Sequence, residues 1–524
     1  MDKLVAARIA KRFITLPLDK RKVYLGKMLE EGVSPANLPI PQVREEFEAL
    51  PLSFAQQRQW FLWKLDPLST AYHIPTTLRM RGALDVPALE RAFKALIARH
   101  DTLRTHFQHV EGEVRQVVGA EATLRLEVEK AEGQGLDHDG LIRAFVERET
   151  QRPFDLDNGP LLRVRLLALA EQDHVLVLTQ HHIVSDGWSM QVMVRELVEL
   201  YAHFGQGAPV QLPELPIQYA DYAIWQRHWM EAGEQERQLG YWLDHLGSEH
   251  SVLALPLDHP RPAQQSFRGE RLQVVLRPGL VQGLQTLAHQ QNVTLFMLLL
   301  ASYQVLLHRY SGQSRIRVGV PNANRNRVET ERLIGFFVNT QILQADVHGD
   351  LPFSTLLQQV RHNALAAQAH QELPFEQLVE ALQPERNLSH NPLFQVMFNH
   401  QGGNRPARAG EGGGTGLEVE SLEWDNRTAQ LDLTLDTVES AEGLSANLTY
   451  ATDLFDRATI ERLAEHWQNL LQAIVANPRQ PVGELSMLGA AEHERIVAQW
   501  NATATDAYPL DTCVHTLIEA QAQR

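Results

Sequence analysis

Two adjacent histidines and an aspartate stand close together in residues 179–189, TQHHIVSDGWS. His181 and His182 carry imidazoles, and Asp186 and Gly187 follow shortly after them. Side chains of these types suit three roles: ligands of a metal ion, a catalytic base, or histidines that flank an ordinary turn. The spacing by itself leaves all three roles open.

A metal site needs more ligands than this stretch supplies. Successive side chains on a strand point to opposite faces, so His181 and His182 do not chelate one ion together. His182 and Asp186 offer two ligands, and neither a nearby cysteine nor an HxxH pattern offers the rest. We therefore expect no metal. A base needs one imidazole in a cleft, and alternation places only one histidine there without saying which.

The stretch must be positioned by the elements on either side of it. HVLVLTQ, before the histidines, is apolar on both faces, as in an interior strand. After Ser189, apolar residues fall on one helical face. The sequence thus predicts a junction between a buried strand and an amphipathic helix, where a polar side chain reaches a cleft from a rigid support.

Other segments alternate between helical and strand patterns. Asp85 is a predicted N-cap, followed by apolar residues at helical spacing. In the second half TLFMLLLASYQVLLHRY predicts a buried helix, and RIRVGVP and GFFVNTQIL predict strands. Residues 402–416 are glycine-rich and predict a loop between the strands FQVMFNH and LEVESLEW.

Length, charge and cysteine content narrow the class of protein. A chain of 524 residues suggests two to four domains at about 150 residues each. Its net charge of -16 disfavours nucleic acid as a partner, because phosphates would be repelled. Cys513 is the single cysteine, which excludes an internal disulfide framework and fits the reducing cytoplasm. No apolar run reaches the roughly 18 residues of a membrane helix, and no secretory signal is recognisable.

Motifs of the common catalytic classes are missing from the sequence. Neither a GxSxG elbow, a phosphate-binding GxxxxGK[ST] loop nor a dinucleotide-binding GxGxxG occurs between a strand and a helix. Covalent serine catalysis, phosphoryl transfer and hydride transfer therefore have no support. A histidine acting directly on two bound substrates remains.

HHIVSDG resembles the HHxxxDG signature of the condensation domains of nonribosomal peptide synthetases. Six further segments are similar to the other motifs of that family and follow its order. The seven segments are LSFAQQRQWFL (52–62), RHDTLRTHF (99–107), QHHIVSDGWS (180–189), YADYAIWQ (219–226), IGFFVNTQ (334–341), HQELPFE (370–376) and RNLSHNPLFQVMF (386–398). Seven ordered matches over roughly 350 residues are far more specific than HHxxxDG alone.

The resemblance implies an α/β fold with two lobes, each like chloramphenicol acetyltransferase, arranged as a V-shaped pseudo-dimer with a central tunnel. The implied divisions are residues 1–50, a linker that follows a carrier domain; 51–225, the N-terminal lobe; 226–488, the C-terminal lobe; and 489–524, a linker and the start of an adenylation domain. Donor and acceptor carrier domains would then be the partners, and their phosphopantetheine arms would supply the only cofactor. Taken alone, the domain is expected to be a cytoplasmic monomer.

The family's residue roles carry over by motif position. His182 becomes the catalytic histidine, with His181, Asp186, Gly187 and Arg104 supporting its loop. The resemblance pairs Asp186 with Arg104 as a brace, and it makes Gly187 either a site of close backbone approach or a plain turn glycine.

Three further residues are candidates for the tunnel wall: Trp188, Ser189 and Asn339. For Asn339, a buried amide that satisfies backbone groups is an equal alternative. Four aromatic residues of the first and fourth motifs are expected in the lobe cores: Trp60, Phe61, Tyr222 and Trp225.

The implied activity is amide formation between a donor thioester and the α-amine of an acceptor amino acid, in the synthesis of antibiotics, siderophores or lipopeptides. The first and third motifs are similar to those of domains with an L-configured donor. Two alternatives are an epimerisation domain, which shares HH…DG, and an inactive platform that recruits other enzymes. FFVNT and HQELPFE favour condensation over epimerisation, and His182 is the residue a platform would normally have lost.

Overall fold

The computed structural model describes residues 2–33, 38–131, 137–384, 387–402, 417–422, 427–440, 443–503 and 511–524. Within these ranges the chain alternates between helices and strands, with short 3-10 turns at several junctions. The α-helices are α1 (Lys3–Thr15), α2 (Leu18–Glu30), α3 (Phe54–Leu65), α4 (Val86–Arg99), α5 (His138–Thr150), α6 (Gly187–Gln206), α7 (Tyr219–Trp229), α8 (Gln235–Leu246), α9 (Pro278–Gln290), α10 (Leu295–Ser311), α11 (Phe353–Ala369), α12 (Phe375–Leu382), α13 (Arg457–Ala476), α14 (Ala490–Glu494) and α15 (Val514–Ala522).

The described strands form three sheets. The strands are β1 (Leu50–Pro51), β2 (His73–Arg81), β3 (Thr105–Val110), β4 (Glu113–Val118), β5 (Glu127–Lys130), β6 (Leu162–Ala170), β7 (Asp173–His181), β8 (Gly269–Val275), β9 (Arg315–Asn322), β10 (Asn339–Asp346), β11 (Val396–Gln401), β12 (Glu418–Leu422), β13 (Leu433–Ser440) and β14 (Gly443–Ala451). Their orders are β1-β4-β3, β12-β2-β7-β6-β5 and β10-β9-β11-β13-β14-β8.

The histidine pair lies at the end of an interior strand, as predicted. Strand β7 has β2 and β6 as antiparallel neighbours, and every residue after Asp173 is buried. The 3-10 turn His182–Val184 follows β7, and the amphipathic helix α6 begins at Gly187. Both predicted elements of the junction are therefore confirmed.

Two hydrophobic cores support the two large sheets. In the first, helices α4 and α6 pack against β2, β6 and β7. In the second, α9, α10, α11 and α13 pack against the six-stranded sheet. The predicted helix α10 is buried through its middle, and Asp85 caps α4 by accepting a hydrogen bond from the Ala88 N–H at 2.8 Å.

The two halves interlock more than a division at residue 225 suggests. That boundary falls inside α7, which continues to Trp229. Strand β12 belongs to the second half of the chain, but it pairs with β2 in the five-stranded sheet of the first half. Strands β11 and β12 flank the predicted glycine-rich loop as expected, although residues 403–416 of that loop lie outside the described residues.

The N-terminal segment, predicted to be a linker, packs against the rest of this chain. Apolar residues of α1 and α2 enter a third core with α7, together with Leu333 and Phe337 from the second half. The Asp221 carboxylate also accepts hydrogen bonds from the N–H groups of Val43 and Arg44 at 2.7 Å each. The N-terminal segment therefore contributes to a core of this chain, because helical amphipathicity there serves packing, and its place as a linker after a carrier domain stays a prediction.

Within the described ranges, no single helix combines the length and the apolar composition needed to cross a membrane. The pair α9 and α10 passes that test jointly, by length and composition only, with a bend of 106° between the helices.

Candidate active site at the seam between the halves

His182 is held at both its backbone and its ring. Its N–H donates to the Tyr72 carbonyl at 2.9 Å, and its Nδ1 lies 3.0 Å from the Ser185 carbonyl oxygen. Because a carbonyl only accepts hydrogen bonds, Nδ1 carries the ring proton and Nε2 keeps a free lone pair. The ring is partly buried and lies 5.2 Å from the ring of Phe336, centroid to centroid.

The surroundings keep His182 neutral near neutral pH. Burial lowers the pKa of its imidazole below the ordinary 6.5, and the Asp186 charge and the Ser185 carbonyl oppose this only in part. A neutral imidazole with a free Nε2 is the form that accepts a proton. The ring therefore has the protonation state of a base and a fixed orientation.

His181 faces the interior and answers the question that alternation left open. It is buried, and its Nδ1 accepts a hydrogen bond from the Ile183 N–H at 3.1 Å. Burial lowers its pKa well below the ordinary value, and the neighbouring histidines His73 and His182 lower it further. His181 thus supports the turn from the inside, and His182 is the more accessible of the pair.

Asp186 pairs with Arg325 of the second half, so the expected pair with Arg104 is wrong. The Arg325 guanidinium lies 3.1 Å from Asp186 Oδ1, and the two side chains are 1% and 0% exposed. Asp186 also caps α6 by accepting from the Ser189 N–H at 2.8 Å, and it accepts from the Phe337 N–H at 3.0 Å. The aspartate braces the turn as predicted, but it does so across the seam.

Arg104 has different partners within the first half. Its guanidinium lies 2.5 Å from Asp101 and also donates to the Gly119 carbonyl. Arg104 ends a 3-10 turn beside β3 and β4, whereas Asp186 faces residues 325–337. The order of the motifs along the chain does not reveal that Arg104 and Asp186 have different partners.

Ser189 joins the halves and does not line an open cavity. Its side chain is fully buried; its hydroxyl donates to the Gly335 carbonyl at 2.8 Å and accepts from the Gly335 N–H at 3.0 Å. Arg325 donates to the same hydroxyl at 2.7 Å. The proposal of Ser189 as tunnel lining is therefore corrected, since these partners use its hydroxyl.

These side chains also explain a missing strand. GFFVNTQIL was predicted as a strand from residue 335, but β10 begins only at Asn339. The backbone of Gly335, Phe336 and Phe337 bonds instead to Ser189, Tyr219 and Asp186. Side chains from the first half replace the partner strand that this segment would otherwise need.

The three remaining predicted residues differ in exposure. Asn339 is buried; its amide donates to the carbonyls of Gln371 and Leu373 and accepts from the Phe375 N–H, which is the backbone role left open for it. Trp188 is 43% exposed, and its indole donates to the Glu331 carbonyl at 2.8 Å. An ideal Cβ at Gly187 would meet no atom within 4 Å, so open space lies beside it.

Among the expected core aromatics, Tyr222 and Trp225 are buried. Phe61 is 54% exposed, so its assignment to the core was wrong. In the part of the chain that the structure describes, no group of three or more His, Cys, Asp or Glu side chains is arranged to hold a metal ion.

Arg325 and Phe336 are the site residues that sequence reasoning missed. Arg325 stands in the polar stretch PNANRNRVE, where no periodicity or spacing distinguishes it from Arg327. Phe336 lies within the fifth motif, but an apolar residue in an apparent strand reads as core. The only sequence signal that pointed towards Phe336 was that its motif, the fifth, occurs together with the third motif, which contains His182.

The fold and site define a two-lobed α/β protein with a neutral histidine at the seam between its halves. A family model described as "Condensation domain" matches residues 47–497. The chain belongs to this family, and the predicted relation to nonribosomal peptide synthetases is confirmed.

Relatives and solved structures agree with this assignment. One of the linear gramicidin synthase proteins of Brevibacillus parabrevis is 46% identical over 93% of this chain. The chain spans only 6% of that relative's length. The structure of the teicoplanin X-domain in complex with OxyB has a TM-score of 0.77 and 28% identity, covering 84% of this chain and 97% of that one.

A condensation domain from the monacolin K polyketide synthase MokA has a TM-score of 0.73 at 23% identity, covering 83% of this chain and 99% of that one. This last likeness concerns the fold alone. With the other comparisons, it confirms the predicted α/β class with two chloramphenicol-acetyltransferase-like lobes.

Proposed function

We propose that this domain catalyses amide formation between two carrier-bound substrates, with His182 as its catalytic residue. The acceptor is an aminoacyl thioester with a free α-amine, and the donor is an aminoacyl or peptidyl thioester. The observation that carries this proposal is the state of His182, a neutral imidazole whose Nδ1 is bonded to the Ser185 carbonyl and whose Nε2 is therefore unprotonated.

The proton inventory of the reaction suits such a group. The acceptor nitrogen attacks the donor carbonyl carbon, the C–N bond forms, and the carbon–sulfur bond breaks as the tetrahedral intermediate collapses. An α-amine with a pKa of about 7.7 to 8.0 is already partly neutral, so little base strength is needed to free its lone pair. His182 Nε2 takes the proton that the nitrogen must lose, and that proton then passes to the departing sulfur.

Positioning supplies the rest of the acceleration. Holding two reactants in one geometry converts a bimolecular step into an effectively unimolecular one. His182 is suited to this task because β7, the Ser185 carbonyl and the Phe336 ring fix its imidazole.

The partners in this proposal are an upstream donor carrier, a downstream acceptor carrier and an adjacent adenylation domain. The carriers bring the phosphopantetheine arms, and the domain acts as a monomer in the cytoplasm. Membership of the condensation family supports the partners, and the single, exposed Cys513 is compatible with a reducing compartment. Sedimentation of the isolated chain tests the monomer.

The donor in this proposal has the L configuration, which rests on the wording of the first and third motifs. A panel of donor carriers loaded with L- or D-aminoacyl groups, each offered with one loaded acceptor, tests this by mass spectrometry of the dipeptidyl product. Preference for D-donors would reverse the assignment without affecting the amide-forming activity.

The decisive experiment is dipeptide formation on loaded carriers. Wild-type protein is expected to transfer the donor to the acceptor carrier, detected as a mass gain on the acceptor. Loaded acceptor without enzyme gives the background rate. Absence of turnover across donors and acceptors of both configurations would contradict the proposal.

A recruitment platform is the second candidate, favoured by the likeness to an X-domain solved in complex with OxyB. A platform would show no turnover and would bind a third protein tightly. An epimerisation-type activity is the third reading, and deuterium exchange at the α-carbon of a single loaded carrier would reveal it. Retention of His182 at the seam favours condensation over the platform.

A further inference from the structure

Tyr219 forms a buried hydrogen-bonded connection between the two halves. It is the first residue of α7, and its side chain is almost fully buried. Its hydroxyl lies 2.8 Å from Ser53 Oγ and donates to the Phe336 carbonyl. Because the single Tyr219 hydroxyl proton is donated to the Phe336 carbonyl, the Ser53 hydroxyl is the donor in its bond with Tyr219.

The segment that Tyr219 holds is the one that contacts the site histidine. The Phe336 ring lies against His182, and the next N–H, of Phe337, donates to Asp186. On the other side of this turn, an ideal Cβ at Gly335 would lie 2.0 Å from Tyr219 Cδ2. The tyrosine ring therefore occupies the space that the missing glycine side chain leaves.

We propose that Tyr219 is a positioning residue for His182, which holds the Gly335–Phe337 turn so that Phe336 and Asp186 keep the imidazole oriented and shielded from water. The kinetic consequence rests on the proposed function, but the orientation of the ring does not. Tyr219 lies in the fourth motif and Gly335 in the fifth. Through this contact both motifs support the third motif, which contains His182.

The hydroxyl is separable from the packing of the ring. The Tyr219 ring lies 4.9 Å from the ring of Phe337 and 5.5 Å from that of Tyr222, contacts that a phenylalanine would keep. Helix α7 is anchored independently, because Asp221 holds the N–H groups of Val43 and Arg44. Tyr219→Phe thus removes the two hydrogen bonds and leaves the helix in place.

The pKa of His182, which a pH measurement reports, depends on the groups that face its ring. Asp186 raises its pKa, burial lowers it, and Arg325 neutralises Asp186 from the second half. His181 and His73 stand behind it on β7 and β2 and are themselves kept neutral by burial. Loosening the Phe336 turn admits water, so the pKa of His182 rises toward 6.5.

The test compares Tyr219→Phe with Tyr303→Phe. Tyr303 is a matched control, since it is equally buried in the second core and its hydroxyl has no hydrogen-bond partner among the described residues. We expect Tyr219→Phe to lower kcat for dipeptide formation about tenfold with little change in KM, and to move the acidic limb of the pH–rate profile upward. Tyr303→Phe is expected to match wild type in both measurements.

A purely structural role would give a different result. Tyr219→Phe would then lower the melting temperature and the activity together, with the pH profile unmoved, and this would overturn the proposal. Wild-type kcat and pH profile in Tyr219→Phe would also overturn it.

A second variant and a second readout keep this proposal separate from the catalytic one. Gly335→Ala, which displaces the tyrosine ring, should reproduce the pH shift, whereas Gly240→Ala on α8 meets no atom within 4 Å and should not. Titration of the His182 resonance by NMR, assigned against His182→Ala, measures the ring without any substrate. If the wild-type protein forms no dipeptide but the His182 titration shifts in Tyr219→Phe, the positioning role is supported and the catalytic role is contradicted. If the titration does not shift in the variant, only the positioning role is contradicted.

Discussion

Two turns occupy the same place in the two halves but differ in chemistry. The first turn, residues 182–186, follows β7 and begins α6; the second turn, residues 452–456, follows β14 and begins α13. Each turn follows the second strand of an antiparallel pair, and the helices that begin after the turns, α6 and α13, have 20 residues each. The first turn therefore carries a histidine, whereas the second turn, TDLFD, carries none.

The difference lies in what the opposite half supplies. In the first turn Asp186 is buried because Arg325 and the Phe337 N–H meet it across the seam. In the second turn Leu454 and Phe455 fill the core, and Asp456 pairs with His259 at the surface, with 63% and 49% of the side chains exposed. A buried polar turn is affordable only where partners for its charges arrive from another part of the fold.

The largest expected effect concerns the two histidines that accompany these turns. His182→Ala should lower kcat for dipeptide formation by about 10²- to 10⁴-fold, because it removes the proton acceptor. His259→Ala, at the second turn, should leave kcat near that of wild type. Both are measured with loaded carriers, and equal losses in the two variants would remove the distinction between the turns.

The aspartates that precede the two helices, Asp186 and Asp456, should differ in their contribution to stability. Asp186→Ala leaves the Arg325 guanidinium buried and unpaired, so we expect a loss of about 3 to 5 kcal/mol in the free energy of unfolding. Asp456→Ala removes an exposed pair and should cost less than about 1 kcal/mol. Urea unfolding measures both free energies. A fully stable but inactive Asp186→Ala would show that the aspartate contributes to the reaction and not to stability.

Arg104→Ala distinguishes the observed pairing of Asp186 with Arg325 from the expected pairing with Arg104. Because Arg104 does not contact Asp186, this variant should leave the contacts between the two halves intact.

Acid should destabilise the strand pair behind the first turn. Burial lowers the pKa of His73 from 6.5 to about 4, so protonation is penalised in the folded state. Stability is thus full above pH 6.5 and declines as the pH falls from 6.5 through about 4, by about 3 kcal/mol at roughly 1.4 kcal/mol per pKa unit. Unfolding measured across this range should show a shallower slope in His73→Gln; an unchanged slope would mean that His73 is not the group responsible.

The smallest expected effect on stability is at the first residue of each helix. Helix α13 begins with Arg457, so a side chain is tolerated after the second turn, whereas α6 begins with Gly187. With open space beside it, Gly187→Ala should change the free energy of unfolding by less than about 1 kcal/mol. If substrate passes there, kcat/KM falls while stability holds. Unchanged kinetics would make Gly187 a plain turn residue.

Local patterns predicted the elements near the site well. The apolar strand before His181, the amphipathic helix after Gly187 and the buried helix α10 all follow from hydrophobic periodicity, which depends on neighbours along the chain. Two other segments have contacts that local patterns did not predict: residues 335–338 have a strand pattern but lie outside β10, and α1 and α2, assigned to a linker, pack into a core. In both cases the deciding contacts come from distant sequence.

The sequence by itself determined the family, through seven ordered motifs, and it singled out the candidate site, through a strand–turn–helix pattern with two histidines. The strand pattern also predicted that the two histidines face different ways, although His182 lies in the 3-10 turn that follows β7. Only the tertiary structure decided that His182 is the accessible one, that Asp186 meets Arg325 and not Arg104, and that Tyr219 supports the turn against His182. The physical reason is that periodicity reports which face of an element is buried, whereas the partner of a buried charge depends on which distant segment the fold brings to it.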